Sequence, residues 1–433
     1  MNDRPEHHRA DYEGAEMSAS RRTGFSIRRL HTFSSFRNPV YRFYYGGMIG
    51  QMASMNMQNL ARSLLIYRLT SSPLILGLMA FANSVPMLIL GLFGGVIADR
   101  IEKKTVLIIG QAVSALISLS VAFSLQTGYL SAENEGSWWV LIVTSILQGA
   151  TMGLMQPSRQ AIIGEIVKED ELMNAISLNT MGMNAMQIFA PAVTGFLIDA
   201  FDFASVYYGM TGMYLFAVVF FFLLPKTGKG AAARTGTMDN IKEGLRYVKS
   251  DKPILIVLLF SLFIVFFSMP YGTLMPIFTE DILKVGASGM GILLSVTGIG
   301  SIVGSVILAS LPNKKRGVML LGSGIALGIA LTIFSFSTSW PLSIAVIVLV
   351  GLGQTGRMTL SNTLLQYYVE KQYTGRVMSI YMMQFGITSF GTFVAGMLAE
   401  AVGTPWALGS FSIVLLVASI AAMFSVKSLR RLD

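Results

Sequence analysis

Residues 74–126 read LILGLMAFANSVPMLILGLFGGVIADRIEKKTVLIIGQAVSALISLSVAFSLQ. An apolar run over 74–98 leads into the charged turn Asp99-Arg100-Ile101-Glu102-Lys103-Lys104, and a second apolar run follows over 105–126. A helix rises about 1.5 Å per residue, so each run is long enough to cross about 30 Å of hydrocarbon. The stretch therefore reads as a helical hairpin whose arms span a membrane and whose charged turn lies on one side of it.

The pattern repeats outward. Further runs at 43–67, 138–163, 174–200, 205–224, 253–279, 287–311, 317–337, 341–366, 374–400 and 405–426 bring the predicted spans to twelve. Of the 433 residues 53% are hydrophobic and 13% charged, more apolar surface than a water-soluble core accommodates. The net charge of +9 raises the question of a nucleic-acid partner, and the positions of the basic residues answer it. All but four of the 32 Lys and Arg fall at the same side as the Asp99–Lys104 turn; Arg68 and Lys284 lie opposite, and Arg62 and Arg357 lie within spans. The asymmetry predicts a multi-pass protein of the cytoplasmic (inner) membrane with both termini in the cytoplasm, and no nucleic-acid partner. The opposite loops carry Glu133, Glu135, Asp202, Glu280 and Asp281.

Cysteine is absent, which excludes disulfides, thiolate metal sites and cysteine nucleophiles. His7, His8 and His31 all lie ahead of the first span, leaving no histidine in the membrane for a metal or a proton relay. No metal, no cofactor and no enzymatic constellation is expected, and no P-loop points to ATP as the driving force. No cleavable leader is read at the N-terminus, so span 1 is expected to act as the insertion signal.

The domain reading is a basic cytoplasmic tail (1–35), a six-helix bundle (36–224), a cytoplasmic linker (225–252), a second six-helix bundle (253–426) and a short tail (427–433). In the linker, Ile241, Leu245 and Val248 recur at helical spacing among Lys242, Glu243, Arg246 and Lys249, which predicts a surface amphipathic helix. An internal repeat divides the chain in the same place: PSRQAIIGEIVKEDELMNAIS at 157–177 matches LSNTLLQYYVEKQYTGRVMSI at 360–380 in pattern, at low identity. The tail arginines Arg21, Arg22, Arg28 and Arg29 fit a topogenic tail and a contact with anionic lipid.

The string Gly95-Val96-Ile97-Ala98-Asp99-Arg100-Ile101-Glu102-Lys103-Lys104 resembles the G-x-x-x-D-R-x-G-[RK]-[RK] signature of the major facilitator superfamily, with Glu102 in place of a glycine. Ala190-Pro191-Ala192-Val193-Thr194-Gly195 in span 5 resembles a degenerate G-P-x-x-G-G antiporter motif, and an ordinary packing kink explains the same residues. FRNPVYRFYYGGMIGQ from Phe36, MQPSRQAIIGEIV from Met155, IKEGLRYV from Ile241 and TGRVMS from Thr374 resemble the branch that includes macrolide and enterobactin exporters.

The resemblance implies an all-α membrane protein with the major facilitator fold: twelve transmembrane helices in two six-helix bundles related by pseudo-two-fold symmetry. It also implies alternating access around a cavity lined by spans 1, 4, 7 and 10. The gate it implies is Gly95, Asp99, Arg100, Lys103 and Lys104, with Asp99 facing Arg376 and the positive end of span 11. Pro191 and Gly195 would bend and pack span 5 against Gly298, Gly300 and Gly304 of span 8.

Polar stripes fall on three of those spans. Gln51, Met55, Gln58 and Arg62 share a face of span 1; Gln148, Met152 and Gln156 share one of span 4; Gln354 and Arg357 share one of span 10. Phe267 and Tyr271 add an apolar wall from span 7. Each glutamine fits an interhelical hydrogen bond as well as a cargo contact. The reading is a proton-coupled exporter of amphipathic small molecules, monomeric, with membrane lipid as its surround and Asp199 and Glu400 as candidate proton sites. An importer or flippase of an anionic metabolite or lipid shares the same residues.

Overall fold

The computed structural model describes residues 33–228, 237–312 and 314–432, with the side chains at 92, 93, 95–99 and 237–241 outside the description. The tail through residue 32, the 229–236 linker stretch and the predicted gate positions Gly95 and Asp99 therefore lie outside the described residues or side chains.

Asn38 starts the first long helix: its side-chain oxygen accepts from the N–H of Val40 at 2.9 Å and Tyr41 at 3.4 Å, ahead of a proline at the first helical position. Twelve long helical segments run through the described residues: α1 (Pro39–Thr70), α2 (Pro73–Arg100), α3 (Lys103–Gln126), α4 (Trp139–Ile166), α5 (Glu169–Ala200), α6 (Phe203–Phe222), α7 (Lys252–Ile282), α8 (Gly286–Ser310), α9 (Arg316–Ser335), α10 (Trp340–Tyr368), α11 (Thr374–Val402) and α12 (Thr404–Ser425). Eleven are long and apolar enough to cross a membrane by length and composition; α1, at 32 residues, has the length, while Gln51, Asn56, Gln58, Asn59 and Arg62 dilute its hydropathy. The amphipathic linker helix is Thr237–Ser250.

The packing repeats with a period of six helices. α2 lies on α4 as α8 lies on α10, α3 on α6 as α9 on α12, and α5 crosses to α8 as α11 crosses to α2. The chain is thus two six-helix bundles related by pseudo-two-fold symmetry. Small residues allow the close pairs: a Cβ at Gly149 or Gly153 of α4 would overlap the carbonyl oxygen of Asn83 or Met87 on α2. Asn83 reinforces the pair, donating to the Ser145 carbonyl at 2.9 Å. In the second bundle Gly300 and Gly351 meet the backbone of α10 and α8 in the same way. This corrects the expected span 5 contact, because Gly298 faces Ile188 of α5 while Gly300 and Gly304 point to Val348 and Leu352 of α10. Two helical positions rotate the side chain about 200°, so 298 and 300 cannot share a face.

Two helices are broken. α7 stops at Ser268, restarts at Pro270 and ends in a π turn over Phe278–Ile282, with Pro270 and Pro276 each withholding a backbone donor. α11 is interrupted between Met382 and Gln384.

The bundles meet at the acidic-loop end. Arg68 pairs with Glu280 at 2.9 Å, Tyr67 donates to Asp281, Ser72 Oγ donates to Glu400 at 2.9 Å, and the Ser288 N–H donates to Asp199 at 2.7 Å. Below this seal, Phe81 lies on Phe393 at 5.6 Å and Gly77 abuts Gly396. At the basic-loop end the linker is anchored twice. Thr227 N–H donates to Glu102 at 2.8 Å on the first bundle, whereas the linker helix holds the second through Glu243–Arg376 at 2.6 Å and a Tyr247–Tyr373 stack at 4.1 Å.

Candidate functional site

Under the sealed end lies a cavity of about 400 Å³ bounded by α5 of the first bundle and by α7, α8 and α10 of the second. α10 carries Gln354 and Arg357 into it, one turn apart, and the break in α7 sets Met269 and Tyr271 at its wall. Thr297 and Ser301 line it from α8, and Asn184 and Gln187 from α5. Along α10 the space continues past Met358 and Thr359 to a second cavity lined by Asn362, Thr363, Gln366 and Arg316, toward the basic-loop end.

Arg357 is 2% exposed. Its Nη1 donates to Gln384 Oε1 at 3.1 Å, and its Nε has no hydrogen-bond partner among the described residues. Gln384 is available because it opens the second segment of α11 directly after the break. The Gln354 amide Nε2 lies 3.7 Å from the Met269 sulfur, while its oxygen is buried without a partner among the described residues.

Of the sequence-predicted cavity residues, Tyr271, Gln354 and Arg357 come together here. The others do not line this cavity. Gln58 accepts from Tyr214 of α6 at 2.9 Å and Gln148 donates to Ser114 of α3 at 3.3 Å, so both tie helices within the first bundle. Gln51 is fully buried with neither amide atom bonded among the described residues. Arg62 is 9% exposed, beside Tyr207 and Tyr214, with Nε and Nη1 unpartnered among the described residues. Gln156 accepts from Arg159 at 2.6 Å, and Met55 and Met152 are half-buried against the core of the first bundle. Phe267 packs at an angle against the rings of Phe263, Phe266 and Phe411 within the second bundle.

Lys103 of the predicted gate is buried and pairs with Glu165, and Lys104 donates to the Leu224 carbonyl and lies over the Phe222 ring. Both hold the basic turn to its own bundle. Arg100 is exposed. Gly195 meets Ala287 and Ser288 of α8, and Pro191 meets Gly291. Asp199 and Glu400 stand at the cross-bundle seal, each accepting a backbone N–H at the start of a helix in the other bundle: Ser288 of α8 and Leu74 of α2.

Sequence reasoning missed α5 and α8 as walls. The signal was present: Asn184 and Gln187 lie at i, i+3, and Thr297, Ser301 and Ser305 at i, i+4, i+8. Gln384 carried no such mark, because it reaches Arg357 only through the break in α11.

Comparison with known proteins accords with this architecture. The Major Facilitator Superfamily profile matches residues 45–390 and 316–431. Macrolide efflux protein A of Streptococcus pyogenes is 22% identical over 420 residues, 93% of this chain and 100% of that protein. The staphyloferrin A transporter of Staphylococcus aureus is 24% identical over 329 residues, 76% of this chain and 81% of the relative. The crystal structure of the nucleoside transporter NupG superposes with a TM-score of 0.73 at 14% identity, covering 89% of this chain and all of the other. With its twelve helices, paired bundles and cavity between them, the chain belongs to the Major Facilitator Superfamily.

Proposed function

We propose that this transporter exports amphipathic small molecules across the cytoplasmic membrane by alternating access, driven by protons. The observation that carries the reading is the cavity between α5 and α7, α8 and α10, mixed polar and apolar, beneath a seal made of cross-bundle contacts. The positive-inside asymmetry assigns the sealed end to the outside and both termini to the cytoplasm, so this conformation faces inward. Export is supported by relatives named for efflux, macrolide efflux protein A and a multidrug efflux pump of Mycolicibacterium fortuitum at 23% identity. In this reading Asp199 and Glu400 are the proton acceptors, since neutralising either removes charge from a contact that keeps the outer end shut.

The experiment is gradient-driven movement of amphipathic dyes, anionic beside cationic, in proteoliposomes, with wild type beside the Asp199→Asn/Glu400→Gln double variant. Wild type moves cargo against its gradient when a proton gradient is imposed; the double variant retains downhill movement only. Movement indifferent to the proton gradient in wild type refutes the coupling, and movement inward alone supports the alternative, an importer or flippase of an anionic compound.

A further inference from the structure

Arg357 is the sole charged side chain among the described residues that line the cavity, and no carboxylate shares the wall with it. A guanidinium keeps its proton throughout the working pH range. Burying such a charge with only the neutral Gln384 amide and the Tyr381 hydroxyl beside it is unfavourable, and an intramembrane arginine in that position marks a ligand path. Gln384 occupies Nη1. The Nε edge is left without a partner, and a carboxylate engages an arginine along that edge through two parallel hydrogen bonds.

Resting on the transporter reading above, we infer that the cavity is an anion subsite: it binds an amphipathic organic monoanion whose carboxylate-type group docks on the Nε edge of Arg357. One cation in the wall matches a single negative charge. Asn184 and Gln187 reach the same space from the other bundle, exposed to it, so the neutral polar part of the cargo bridges the two bundles. Met269, Ile302 and Met358 supply an adaptable apolar surface for the remainder.

The test uses the full chain in detergent and one skeleton with three charges: indole-3-acetate, indole-3-acetamide and tryptamine. A ligand that binds the folded state raises the melting temperature in proportion to its occupancy. The carboxylate is expected to raise Tm saturably, the amide to need at least tenfold more ligand for the same shift, and the ammonium to give none. Arg357→Gln removes the preference, and Arg357→Lys keeps its sign while weakening it, because a point charge replaces the fork. If the Gln variant does not fold, the Lys variant decides: unchanged affinity overturns the proposal.

It is also overturned by equal binding of the three compounds, by preference for tryptamine, by absence of any shift with the carboxylate, or by a preference that persists in Arg357→Gln. Bicelles containing phosphatidylglycerol form a separate arm; Arg357-dependent stabilisation by that lipid and not by indole-3-acetate assigns the subsite to a headgroup and overturns the small-molecule cargo. Thiol labelling of single cysteines introduced at either end, with no ligand present, tests alternating access alone. Reciprocal labelling without anion preference sinks only this inference, and anion preference without reciprocal labelling sinks only the transport reading.

Discussion

Tyr214 donates its hydroxyl to Gln58 inside the first bundle, where both side chains are buried. Tyr214→Phe keeps the ring and strands the glutamine oxygen, which costs about 1–3 kcal/mol. The expected result is a lowered melting temperature with cargo affinity unchanged; a variant that melts like wild type but binds cargo poorly would move Gln58 into the cavity. This residue also shows what periodicity leaves open. The spacing of Gln51, Gln58 and Arg62 is visible in the sequence, and it fixes a shared face of α1. Which neighbour that face meets depends on how α1 is rotated against α6, and Tyr214 is 156 residues away along the chain. Arg357 was legible because no acid lies near it in its own helix, whereas its partner Gln384 sits on another helix beyond a break.

At the level of helices, α5 and α8 approach so closely that a Cβ on Gly195 would stand 2.9 Å from the Ala287 carbonyl carbon and 3.0 Å from Ser288 Cα. In the alternating-access reading proposed above, that contact is made while the acidic-loop end is shut and lost when it opens. Gly195→Ala is therefore expected to disfavour the shut state by about 1–3 kcal/mol, a shift of roughly five- to 150-fold in the conformational equilibrium. Accessibility of a thiol introduced near Ser288 reads the shift directly, and equal accessibility in variant and parent would show that the helices adjust. Gly149→Ala makes the opposite kind of change. It lies between α2 and α4 within one bundle, so it is expected to lower thermal stability without biasing which end is open, checked by melting and by the same labelling. The existence and order of the helices were readable from hydropathy because lipid demands long apolar runs. The interruptions at Met269 and Met383 were not, since only Pro270 announces the first and no proline or glycine lies at the second.

For the molecule as a whole, the cysteine-free sequence makes covalent tests of movement direct. Arg68 and Glu280 touch across the two bundles at 2.9 Å, so Arg68→Cys with Glu280→Cys is expected to be bridged through two disulfides by a short bis-methanethiosulfonate reagent, each thiol displacing a sulfinate. If the bundles rock during transport, the bridged protein stops turning over and a reductant restores it. Full transport by bridged protein would mean that the acidic-loop end need not open. The two-bundle plan was legible from the repeat at the 157–177 and 360–380 junctions. The side of the molecule that is shut was not, because hydropathy and charge describe a sequence common to every state of the cycle.

Asp199 and Glu400 each bind a backbone N–H rather than only a side chain on the opposite bundle. A main-chain amide is present whatever residue occupies positions 288 or 74, proline excepted. Natural drift on the receiving helices thus leaves the latch intact, and a single exchange at 199 or 400 resets the resting posture with no matching change elsewhere. Across descendants of this sequence, the acidic positions should vary independently of the residues they touch, which lets selection tune how long the acidic-loop end stays closed without disturbing what the cavity recognises.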